Sequence, residues 1–208
     1  MEAASGRDLG ADRIELYFSD VFKVPEQTLE GYGAFNVSLL VDLPLFVDPF
    51  LLFHSQKPEY RALHDEIIRY LRFLRDRSSN GTLTEGLLKA WYTFREVKET
   101  WLGFSQVSNA GHGLGKDFAR ALNESLAAIF KSFGQEQITK GSHLEKLLIK
   151  PGVGRDTISD FTTNLIKGFL VEYTQAFALQ HIDPGLRRRC AVEKARFNYQ
   201  TESWETLI

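Results

Sequence analysis

The segment 160–181, DFTTNLIKGFLVEYTQAFALQH, limits the fold more than any other stretch. Phe161, Leu165, Ile166, Phe169, Leu170, Val171, Tyr173, Phe177 and Leu179 recur at helical spacing and cover most of a helix's circumference. A helix that is apolar on most sides must be packed on most sides, which places it in the middle of the molecule. Ser159 stands where an N-cap is needed. The turn signal Asp183-Pro184-Gly185 closes the segment.

Other elements are expected around it. Tyr60, Leu63, His64, Ile67, Leu71 and Leu74 fall on one face of a helix over 59–76, stopped near Gly81. A second helix is expected over about 84–98 with Thr84 as N-cap, and a third over 117–133. Ser142 to Glu145 has the capping-box pattern of a short helix, broken by PGVG at 151–154. RIELYF (13–18) alternates like a half-buried strand, while EGYGAF (30–35) looks like a turn or loop. FNVSLLV and PLFVDPFLLF look extended, the second made an edge or broken strand by Pro49, and WLGFSQV (101–107) a further short strand. RRRCAVEKARFNY (187–199) is a late strand with no obvious partner before the last residues, which suggests a truncated end. The expected fold class is α+β: N-terminal strands, then a mainly helical body with a buried long helix near 160–181, then a late strand. Residues 1–12 are expected to be disordered and 13–208 to form a single α+β domain.

Hydrophobic residues are 43% and charged residues 25% of the 208, the balance of a soluble globular protein, and 16 Phe supply large rings to bury. The net charge of −2 gives no global basic field to attract nucleic acid, so any such contact needs a local patch. Cys190 is the only cysteine, which rules out an intramolecular disulfide, and no disulfide-linked partner is expected. A reducing, cytoplasmic location follows as the expectation. The N-terminus lacks an apolar signal region, and the most apolar stretch, 38–53, is interrupted by Asp42, Pro44, Asp48 and Pro49, so no membrane segment is expected.

NAGHGLGKDF (109–118) has the glycine content of a phosphate-binding loop. In the P-loop register, however, Ala110 replaces the first glycine and Asp117 the magnesium-binding hydroxyl, which puts negative charge at the phosphate seat. Gly113, Gly115 and Lys116 remain candidate contacts to one phosphate of a larger ligand; otherwise the stretch is a flexible connector.

Metal-assisted phosphodiester hydrolysis requires two or three carboxylates around Mg²⁺ and a lysine near the developing charge. Asp48, at the end of LFVD, with Glu96 and Lys98 fits a nuclease-like Asp…Glu-x-Lys arrangement, although one such triplet is expected by chance. In GVGRDTISDFTTN (152–164), polar residues crowd the opening of an otherwise greasy helix. Asp156 and Ser159 can simply cap it, with Asp160 complementing the helix dipole. Alternatively, Asp156 and Asp160 ligate a metal and Asn164 faces the ligand, since Asp160 and Asn164 are i,i+4 and share a face.

GVGRDTISDFTTNLI and EVKETWLGF resemble segments of an uncharacterised bacterial protein family associated with phage-defence or mobile-element genes. The resemblance implies no assigned activity and no residue roles, and implies a longer chain.

The five His show no zinc-ligand spacing, and His64 is expected on a buried face. The arginines of the first long helix alternate with Asp65, Glu66 and Asp76 as a solvated face, which leaves Arg187, Arg188 and Arg189 as the nucleic-acid candidates. Two functions follow from these residues. One is a metal-dependent, nuclease-like protein hydrolysing phosphodiesters, with Asp156 and Asp160 helped by Asp48 or Glu96, and Lys98 or Lys116 on phosphate. The other is a non-catalytic helical module that binds a partner protein.

Overall fold

The computed structural model describes residues 15–40, 45–79, 83–94, 119–120, 122–123 and 155–208, the side chains of 79, 155 and 156 excepted. Its bounded elements are α1 (Phe18–Phe22), α2 (Glu26–Tyr32), α3 (Pro49–Phe53), α4 (Pro58–Ser79), α5 (Glu85–Trp91), α6 (Arg155–Leu165), α7 (Lys167–His181), a 3-10 turn (Pro184–Leu186), β1 (Val192–Asn198) and β2 (Ser203–Leu207). The fold mixes helix and sheet, and among the described residues the sheet is one antiparallel hairpin, β1 with β2.

The expected N-terminal strands are corrected. Among the described residues, their pairing is reduced to one bridge, Tyr17 with Ser38, flanked by Phe18 N–H to Val37 O (2.9 Å) and Leu39 N–H to Leu16 O (2.7 Å). Helix α1 begins at Phe18 because the Asp20 carboxylate accepts Tyr17 N–H at 2.8 Å, satisfying a helix-start donor that a strand would have used. Of the turn or loop expected at 30–35, Glu30–Tyr32 are instead the end of α2, and the turn itself begins at Gly33 (φ 80°), with Ala34 N–H bonded to Leu29 O in a helix-terminating turn. Pro49 does not break a strand. It occupies the first turn of α3, and the Asp48 side chain caps that helix by accepting Phe50 N–H at 2.9 Å.

Helix α4 carries the core. Ile67, Tyr70, Leu71 and Leu74 are buried along one face, with His64 at the same face. They pack with Trp91, Tyr92, Phe94, Phe161, Ile166 and Phe197 in the main cluster. Many of the phenylalanines and tryptophans go into edge contacts: Tyr70–Phe197 and Phe73–Trp91 have ring centroids 4.9 and 5.0 Å apart. The ring hydroxyls are also used, with Tyr70 donating to Trp91 O (2.7 Å) and Tyr92 to Leu74 O (2.9 Å). Burial pushes both phenols above their ordinary range. A second cluster, Val24, Leu29, Phe177 and Ile182, fastens α1 and α2 to the outer end of α7.

The single long helix expected over 160–181 is two helices that meet at Ile166. Ser159 lies inside α6 and does not cap it. Thr162 donates its hydroxyl to Ile158 O at 2.7 Å, four residues back, a bond that bends helices. Only α6 and the first turn of α7 are central; Leu179 is 61% exposed. Gly168 lets α7 approach β1, since a Cβ there would stand 3.0 Å from Ala195 O.

The late strand does have a partner, SWETL, directly after the loop at 199–202. Asn198 Oδ1 accepts Gln200 N–H and Thr201 N–H (2.9 and 3.2 Å), and Glu202 takes the left-handed conformation at φ 51°. The loop is docked: Trp91 Nε1–H donates to Glu202 O at 2.9 Å, and Arg77 pairs with the Glu202 carboxylate. In β1, the ladder is irregular between Val192 and Arg196, and Lys194 sits there at φ 51°. Its ammonium reaches the C-terminal end of α5, 3.2 Å from Ala90 O and 3.5 Å from Thr93 O.

Candidate functional site

Two regions hold polar chemistry, and α6 joins them. The first is the corner between the start of α3 and the start of α6. Val47 N–H donates to Ser159 Oγ at 2.9 Å across 112 residues. Asp48 and Asp160 are therefore each one residue from this contact. On a helix with about 100° per residue, position 156 lies between 159 and 160 when viewed down the axis, one turn nearer the N-terminus.

Helix α6 and the start of α7 bury an unusual run of polar residues: Ser159, Thr162, Thr163, Asn164 and Lys167. Much of this polarity is structural. Ser159 serves Val47, Thr162 serves Ile158 O, Asn164 Nδ2 donates to Asp160 O at 2.9 Å, and Lys167 Nζ donates to Glu193 O at 2.7 Å. Asp160 is half-buried. Asp48 already works as a cap. Among the described residues, no three His, Cys, Asp or Glu are grouped to hold a metal ion. The Asp156 side chain lies outside the described set, although its backbone is in α6. Glu96, Lys98, Gly113, Gly115 and Lys116 also lie outside the described residues.

The basic triplet follows the 3-10 turn. Arg187 is half-buried, and its Nε–H donates to Ile182 O at 2.6 Å; Arg188 and Arg189 are exposed. Arg187 thus holds the end of α7, which leaves Arg188 and Arg189 as the outward-facing charges.

The second region is a groove of about 410 Å³ bounded by α4, α7 and the hairpin. The sequence reading missed it, because its walls come from residues about 130 positions apart and each looks like ordinary helix or strand surface. Arg69 of α4 lies over Tyr199, with its guanidinium carbon 3.9 Å from the ring centroid, and Glu66 is 3.6 Å from the same guanidinium. In the same groove, Arg196 of β1 pairs with Glu172 of α7 at 2.6 Å. Burial, and then Glu66, push the Tyr199 phenol up to about 12 against the pull of Arg69. It stays neutral at physiological pH and lines the groove as an aromatic wall.

A mainly helical α+β protein with a C-terminal hairpin, a carboxylate-bearing corner and an arginine-aromatic groove is the class these features define. The chain belongs to a family described as a domain of unknown function (DUF8370), whose model matches residues 23–208 and so includes both regions. No curated protein and no solved structure matches it. Among the described residues, no helix is long and apolar enough to cross a membrane.

Proposed function

We infer that the α3–α6 corner binds Mg²⁺ and hydrolyses phosphodiesters. The supporting observation is the Val47 N–H to Ser159 Oγ bond, which draws Asp48 toward the helix turn that carries Asp156 and Asp160. Asp156 and Asp160 hold the ion, with Asp48 turning toward it or orienting water. Glu96 serves as a further acidic group, and Lys98 or Lys116, with Gly113 and Gly115, meets the phosphate. Asn164 steadies the helix backbone below Asp160, and Arg188 and Arg189 extend the contact to the nucleic-acid backbone. Adding Mg²⁺ or Mn²⁺ to the purified protein is expected to raise its unfolding midpoint and to permit plasmid cleavage, both lost in Asp160→Ala. A metal-independent midpoint together with intact plasmid would remove the catalytic reading.

One observation favours the alternative, a non-catalytic module that binds a partner protein. Phe46 and Leu51, on either side of Asp48, are 43% and 70% exposed, apolar surface of a kind that protein partners cover. Retention of partner binding in Asp160→Ala, with no cleavage by the parent protein, selects this function.

A further inference from the structure

Resting on the phosphodiester reading for the choice of a nucleotide over other aromatic anions, we propose that the groove between α4, α7 and the hairpin binds one nucleotide unit, a planar base with its phosphate. Its volume of about 410 Å³ falls within the range of small-molecule sites, about 300–1,000 Å³. Phe169 supplies aromatic surface for the base. Arg69 of α4 and Arg196 of β1 supply two guanidinium forks to the groove, suited to phosphate oxygens.

The same groove carries two carboxylates, Glu66 and Glu172, so its formal charge balances. A simple polyanion is therefore a poor match. A nucleotide uses all four charges: phosphate meets arginine, while exocyclic amines or ribose hydroxyls donate to glutamate. The existing ion pairs do not close the site. The side chains of Arg69, Glu66, Arg196 and Glu172 are all more than half exposed, and pairs of that kind exchange readily with an incoming phosphate. Arg69 is preoriented by its stack on Tyr199. Leu165 and Ile166 line the groove where α6 ends. Asp160 lies five residues back along the same helix, about 8 Å by helical rise. The two regions thus share α6 but lie on different sides of it.

The experiment is fluorescence anisotropy of a labelled ribo-oligoadenylate, which carries both the exocyclic amine and the ribose hydroxyl, with the full chain in EDTA and AMP as competitor. Binding is expected, weakened about tenfold or more in the Arg69→Ala/Arg196→Ala double variant. Arg69→Lys and Arg196→Lys, which keep charge and bulk, are expected to fold and to bind at intermediate strength, because the planar fork is lost. Displacement by AMP identifies a free nucleotide as sufficient; binding that AMP does not displace identifies a strand. Absence of oligonucleotide binding, or binding that the arginine variants leave unchanged, overturns the assignment. Asp160→Ala is expected to bind like the parent chain in EDTA. Loss of cleavage with binding intact thus locates a fault in the corner, and loss of binding with the metal response intact locates it in the groove.

Discussion

Tyr32 and Tyr173 hold each other by reciprocal hydrogen bonds. The Tyr32 hydroxyl donates to Tyr173 O at 3.0 Å and the Tyr173 hydroxyl donates to Tyr32 O at 2.8 Å, across 141 residues. Their rings lie 4.7 Å apart. The pair joins the last residue of α2 to the middle of α7 and is the polar lock beside the second apolar cluster. Tyr173→Phe removes one donor and keeps the ring, so a loss of about 1 kcal/mol is expected in urea unfolding. Gly33→Ala, next to the lock at φ 80°, is expected to cost about 1 kcal/mol or more, because alanine tolerates that conformation poorly.

Gly168 gives a test of sign. On helix propensity alone, Gly168→Ala would stabilise by about 1 kcal/mol. The new Cβ would instead meet Ala195 O at 3.0 Å, a backbone atom that cannot swing away. Net destabilisation of about 1–3 kcal/mol is expected, read by chemical denaturation. A stabilised variant would mean that α7 does not approach β1 this closely.

Asp48 separates structure from chemistry. Asparagine caps a helix about as well as aspartate, so Asp48→Asn is expected to keep the unfolding midpoint while weakening the Mg²⁺ response. Asp48→Ala is expected to lose about 1 kcal/mol as well. Equal metal responses in the parent chain and Asp48→Asn would show that Asp48 only caps α3.

Ser159→Ala leaves Val47 N–H, in a part-buried contact, without its acceptor. A cost of about 1–3 kcal/mol is expected, concentrated where α3 meets α6. Amide hydrogen exchange should show faster exchange at Val47, with α7 little changed.

His64 sets an acid limit. It is buried on α4, with Asp65 Oδ1 at 3.9 Å and the Phe53 ring of α3 at 4.9 Å. Burial lowers its pKa, with the nearby charge of His54 adding to the effect, and Asp65 pulls only partly the other way. The folded state therefore prefers neutral imidazole. The stability this confers is intact above the ordinary value of about 6.5 and is lost as pH falls through it toward the lower folded value. Unfolding midpoints measured from about pH 7 to 5 should decline in the parent chain and flatten in His64→Leu.

What the sequence determined by itself was what a few neighbouring residues encode. The buried face of α4, the Thr84 cap, the Asp183 turn and the strand within 187–199 follow from periodicity and capping chemistry that operate within a turn or two. The polar opening of α6 was also visible as the stretch around Asp156 and Asp160. Tertiary structure decided the rest. Asp48-Pro49 suits a broken strand as well as a helix start, and Val47 bonded to Ser159 belongs with the helix. Ser159 looked like a cap because its use by a residue 112 positions away leaves no local mark. The meeting of Arg69 with Tyr199 likewise depends on a contact between distant segments. Periodicity records which face a segment wants to bury, but the partner on that face is chosen by packing the whole chain.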